Sequence, residues 1–94
     1  MEFGDFEWDD DKQTRNLRDH GIDFRIAVEA FDDARSIPYA DPEHSTVGEP
    51  RYALIGQCSA GLVFISFTYR GDRCRIISVR KASKRMQRIY AEND

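Results

Sequence analysis

The stretch YRGDRCRIISVRKASKRMQRIY, Tyr69 to Tyr90, holds the end of one strand, a tight turn at Gly71-Asp72, a second strand and a basic helix. Two β-patterned runs joined across so short a turn form an antiparallel hairpin. After it, Ser83 supplies an N-cap, and Met86, Ile89 and Tyr90 recur at helical spacing. Eight cations fall in this segment (Arg70, Arg73, Arg75, Arg80, Lys81, Lys84, Arg85 and Arg88), and only Asp72 offsets them. Lys84 and Arg85 stand in the first turn of the helix, where the macrodipole disfavours positive charge. Their place there suggests a use other than helix stability.

Working upstream, Arg51–Cys58 and Leu62–Tyr69 are two more strand-like runs, separated by Ser59-Ala60-Gly61. The run from Leu62 is apolar on both faces for most of its length, which puts it at the centre of a sheet. Ile37 and Tyr39 mark a short further strand, and residues 41–50 form an irregular loop with two prolines and a glycine. Strict alternation along the last strand places Cys74, Ile76, Ser78 and Arg80 on one face and Arg73, Arg75, Ile77 and Val79 on the other. At the N-terminus, Phe3, Phe6 and Trp8 suggest a short strand or an apolar lead-in. Asp9, Asp10 and Asp11 then open a helix that stops at His20-Gly21. A second helix starts after Asp23, with Phe24, Ala27, Val28 and Phe31 as its apolar stripe. The expected fold is α+β. Two N-terminal helices pack on one face of a twisted, mainly antiparallel sheet of about four strands, and a helix closes the chain.

Residues 1–50 carry fourteen acidic and five basic side chains, net −9; residues 51–94 carry three and nine, net +6, which together give −3. Such asymmetry points to a polyanion partner, RNA foremost. The plainer reading is that the acidic half folds against the basic half and the two cancel across a solvated surface. A chain of 94 residues has room for one core, so residues 1–94 form one domain. The 33% charged content favours a soluble protein, and no apolar run approaches the ~20 residues that span a bilayer. The acidic start lacks the order of a signal peptide. Cys58 and Cys74 have no metal-ligand spacing and sit in strand patterns, as buried free thiols do. We expect a cytoplasmic protein without a cofactor, metal site or structural disulfide.

Read in order, several short motifs resemble one family. They are Phe6-Glu7-Trp8-Asp9, Asn16, His20-Gly21, Phe24, Ala30-Phe31, Asp41-Pro42-Glu43-His44-Ser45, Glu49, Arg51, Ile55-Gly56 and Arg75-Ile76-Ile77-Ser78-x-Arg80. Together they are similar to the BrnT ribonuclease toxins of bacterial type II toxin–antitoxin modules. Val79 departs from a smaller alanine frequent in that family. The resemblance implies a RelE-like fold and an endoribonuclease with RNA as substrate. It also implies a ribbon-helix-helix, BrnA-like antitoxin that covers the toxin and binds operator DNA as part of the complex.

Metal-independent RNA cleavage uses the substrate's 2′-hydroxyl as nucleophile. The protein must help remove its proton, neutralise the pentacoordinate phosphate and protonate the leaving 5′-oxygen. Arg51, Arg70 and Arg80 are the candidates for the phosphate, because a guanidinium fork stays charged and grips two oxygens. Each can equally cap a strand end or pair with the acidic helices. His20 and His44 are the only histidines. His20 stands where a helix cap explains it, although the resemblance keeps it in play. His44 lies in the loop beside Asp41 and Glu43, suited to chemistry or to a turn hydrogen bond. Glu49 serves as base or holds Arg51. Tyr90 offers a hydroxyl or a stacking face, or packs in the core. Arg73, Arg75, Lys81, Lys84, Arg85 and Arg88 are the expected RNA-binding cations. A non-catalytic nucleic-acid module and a surface for an acidic protein partner are the alternatives.

Overall fold

The computed structural model describes residues 1–93. The chain runs through β1 (Glu2–Phe3), β2 (Phe6–Glu7), α1 (Asp10–His20), α2 (Phe24–Ala27) continued by a 3₁₀ turn (Val28–Asp32), β3 (Ile37–Ala40), β4 (Tyr52–Cys58), β5 (Gly61–Arg70), β6 (Arg73–Lys81) and α3 (Lys84–Glu92). The class is α+β. The six strands form one sheet in the order β1-β2-β6-β5-β4-β3, antiparallel except where β2 runs parallel to β6. The expected four strands are β3 to β6. The two extra strands contribute two residues each, too few for any periodicity to register.

Helix ends follow the sequence closely. The Asp9 carboxylate accepts from the Asp11 and Lys12 amides, Asp23 from the Arg25 amide and Ser83 from the Met86 amide. Gly21, at φ 70°, closes α1 through its amide to the Leu17 carbonyl. The second N-terminal helix is the exception, since only one α-turn forms before the chain tightens to 3₁₀ geometry. That turn seats Ala30 directly against β4, where a Cβ on Gly56 would lie 2.9 Å from both the Ala30 Cβ and its carbonyl oxygen. Glycine at 56 is what permits this approach.

Helices α1 and α2 cover one sheet face, and the buried core lies between. Trp8 meets Phe24 edge-on at 5.7 Å and Phe31 meets Phe67 at 5.1 Å, over Val63, Ile65, Ile76 and Val79. Cys58 and Cys74 are buried free thiols in this core, and burial pushes Cys74 up to about 12. Thus Cys74 stays protonated and inert at neutral pH.

A bulge in the β5–β6 ladder corrects the expected alternation. Ser66 pairs with Ser78 but Phe67 pairs with Ile76, so Ile77 is an extra residue. Beyond it the faces exchange. Val79 joins Cys74 and Ile76 in the core, whereas Ser78 and Arg80 turn to the opposite face. Next to the bulge, buried Asn16 of α1 accepts from the Val79 amide at 3.0 Å and donates to the Ile22 carbonyl at 3.2 Å. It thereby satisfies a backbone donor on the part of β6 that β2 does not reach.

Candidate active site

The second sheet face is open at its centre because its floor is small. Register aligns Tyr39, Ala53, Ser66 and Ser78 in one cross-strand row, and Ile37, Ile55, Phe64 and Arg80 in the next. The middle of the first row holds only alanine and serine, which leaves a depression between larger neighbours. A cleft of about 410 Å³ results, lined by Phe64, Ser66 and Ser78 below, with Arg51, Arg80, His20, Asp41 and His44 around it.

Each functional side chain has an identifiable support. His20 ends α1 and reaches the cleft from the β6 side. Gly21 caps the helix through backbone alone, so the imidazole is not spent on that role; it makes no hydrogen bond among the described residues. On the β4 side, the loop between β3 and β4 is a stitched turn. Ser45 donates its hydroxyl to the Asp41 carbonyl at 2.7 Å and accepts the Arg51 amide at 2.8 Å. The Asp41 amide in turn donates to the Arg51 carbonyl. This frame holds His44 with Nδ1 2.8 Å from Asp41 Oδ2. An ionised carboxylate only accepts, so Nδ1 is the donor of this bond, and in the neutral imidazole Nε2 is then the acceptor.

Arg51 is 29% exposed, with Nη2 3.1 Å from Glu49 Oε1 and a buried Nε that has no partner among the described residues. Glu49 thus steadies Arg51 and does not line the cleft. Arg80 is exposed, with its guanidinium 5.2 Å from the Phe64 ring centre and no ion pair among the described residues. Such a cation–π contact contributes ~0.5–1 kcal/mol at an exposed site. It orients the side chain while leaving its charge uncompensated. No three His, Cys, Asp or Glu side chains converge as a metal set among the described residues.

Two expected catalytic residues lie elsewhere. Arg70 ends β5 four residues past Ser66, roughly 13 Å along the strand. Tyr90 sits away from the cleft and not in the core; its hydroxyl donates to Asp33 Oδ2 at 2.6 Å, and Arg35 lies 5.1 Å over its ring. This bond holds Asp33 below, and Tyr90 above, their ordinary ranges. Tyr90→Phe is expected to lose ~1 kcal/mol in denaturant unfolding and to leave cleavage unchanged. Because the Asp33 value is depressed in the folded state, the difference between the two proteins is present above the ordinary carboxylate range. It fades as pH falls through the folded Asp33 value.

The basic segment divides in two. Arg73 pairs with Glu2 at 3.4 Å and donates to the Gly4 carbonyl, and Arg75 pairs with Glu7 at 2.6 Å. The β1–β2 hairpin therefore neutralises both. Lys81, Lys84, Arg85 and Arg88 are exposed without an ion pair among the described residues. The plainer reading, in which acidic and basic parts cancel, holds for the hairpin, and these four cations are left uncompensated.

Phe64 and Ser66 carry no sequence signal as site residues, because a floor of small side chains emerges only from strand register. His44 and Asp41 are legible only as a loop pair. No helix among the described residues is long and apolar enough to cross a membrane. The sequence has no significant match among curated proteins. Residues 8–85 match the family model described as "Ribonuclease toxin, BrnT, of type II toxin-antitoxin system". That span holds the whole cleft, from His20 to Arg80, and the chain belongs to the BrnT family of ribonuclease toxins, whose target is RNA and whose partner is an antitoxin.

Proposed function

We propose that this protein is a metal-independent endoribonuclease that acts in the cytoplasm and is neutralised by a ribbon-helix-helix, BrnA-like antitoxin. Operator DNA would be bound only through that antitoxin. One observation carries the catalytic reading. Arg51, immediately before β4, and Arg80 of β6, on either side of β5, line one cleft that has a histidine on each side.

The geometry supports the following roles. His44, fixed through Nδ1 by Asp41, presents Nε2 as base to the 2′-hydroxyl. The oxygen attacks the adjacent phosphorus, and charge builds on the non-bridging oxygens between Arg51 and Arg80. Protonated His20, on the opposite side, delivers a proton to the departing 5′-oxygen. Products are a 2′,3′-cyclic phosphate and a 5′-hydroxyl. Glu49 acts through Arg51, and Lys81, Lys84, Arg85 and Arg88 grip phosphates beyond the cut. Arg70, Arg73 and Arg75 lie outside this path.

The test incubates the chain, freed of antitoxin, with end-labelled RNA in excess EDTA. Fragments ending in 2′,3′-cyclic phosphate are expected. Intact RNA that the protein nonetheless retains would replace the proposal with a non-catalytic binding module. RNA neither cut nor bound would leave a protein-partner surface.

A further inference from the structure

Beside the cleft lies a second groove of about 390 Å³, and the two share Asp41 and Phe64. Its floor is Ala53 and Ile55 of β4, one wall is Met86 and Ile89 of α3, and the other is Tyr39 of edge strand β3. Tyr39 is 37% exposed, and Arg85 stands on the rim without an ion pair among the described residues. We propose that this groove is a nucleobase subsite, which stacks the base next to the scissile phosphate on Tyr39 and passes the following phosphate to Arg85. The inference rests on the ribonuclease reading of the adjoining cleft.

Three observations favour a base. Continuity is the first: an RNA strand whose phosphate sits between Arg51 and Arg80 must leave the cleft, and the shared Asp41–Phe64 boundary opens this way. Chemistry is the second, because the floor and the α3 wall are apolar (Ala53, Ile55, Met86 and Ile89), Tyr39 is an exposed aromatic, and the Ser83 hydroxyl oxygen already accepts from the Met86 amide. A flat, uncharged ring suits such a slot, and is held by stacking with no reading of its edges. Size is the third, since about 390 Å³ is the volume of a small-ligand pocket. The neighbouring Phe64 face is already taken by Arg80, which leaves Tyr39 as the stacking partner.

Equilibrium binding of 2′-fluoro RNA, which lacks the attacking hydroxyl, tests this with an abasic residue scanned along the strand. At one position the abasic residue is expected to weaken binding roughly tenfold. Tyr39→Ala should weaken the intact strand to the same level and the abasic strand no further, and Tyr39→Phe should restore the difference. Indifference of the parent protein to every abasic position would overturn the subsite. So would a Tyr39→Ala effect confined to antitoxin affinity, which would make the groove a protein-docking site. Cleavage of the all-ribose strand is scored alongside. Base-sensitive binding without cleavage would sink the ribonuclease reading and leave a base-stacking site beside a bound, uncut phosphate.

Discussion

Replacing Arg80 with alanine is expected to slow RNA cleavage about a thousandfold, the scale on which positioned cationic or oxyanion donors act. The loss should fall on kcat, because charge accumulates at the phosphate only as the 2′-oxygen attacks. Stability should barely move. Arg80 is exposed, and its partner among the described residues is the Phe64 ring, so the unfolding free energy is expected to fall by no more than the ~0.5–1 kcal/mol of that contact. Arg80→Lys discriminates further. It keeps the charge but loses the two-pronged fork, and should recover only part of the rate. Single-turnover kinetics on one mapped RNA reads all three proteins. Alanine and parent cutting at rates within about threefold would remove Arg80 from the chemistry, and the burden would pass to Arg51.

Why Arg80 reaches the cleft at all shows where sequence reading stops. Helix boundaries were legible because capping is local: Asp9, Asp23, Ser83 and Gly21 act within three or four residues of themselves. The hairpins at Ser59-Ala60 and Gly71-Asp72 were legible for the same reason. Alternation along β6 failed at one residue, Ile77, because a bulge depends on the partner strand and leaves no mark in the bulged strand's own pattern. With strict alternation, Arg80 would share a face with Cys74 and Ile76 and end in the core. The arginines of the hairpin failed for a longer-range cause. Glu7 lies 68 residues from Arg75, and only the parallel pairing of β2 on β6 brings them together. Tyr90 looked like a core residue from its spacing with Met86, yet α3 buries no residue fully and the hydroxyl goes to Asp33. The motifs that carry the family resemblance fared better. Asn16, His20, the Asp41–Ser45 turn, Arg51 and Arg80 all prove to frame one cleft or its support.

The largest stability effect is expected at Asn16, which touches no substrate. Its side chain is 6% exposed and bridges the Val79 amide on β6 to the Ile22 carbonyl after α1. Alanine there removes both bonds and leaves a buried backbone donor and a buried backbone acceptor without their partner. Each stranded group costs ~1–3 kcal/mol, so Asn16→Ala should lose about 3 kcal/mol in denaturant unfolding. For a domain this small that is a large share of a total stability of roughly 5–10 kcal/mol. Amide hydrogen exchange locates the damage: Val79 should lose protection first, while Ile65 on central β5 keeps it relative to global unfolding. Activity should fall as well, in a way that separates support from chemistry. His20 lies one helical turn beyond Asn16, and Asn16 is what pins that end of α1 to the strand carrying Arg80. Loosening it should slow cleavage several-fold at temperatures where the variant is still folded. A loss below ~1 kcal/mol with Val79 still protected would mean that the β6 edge is held by other contacts. The Asn16 bridge would then be incidental to both the fold and the site.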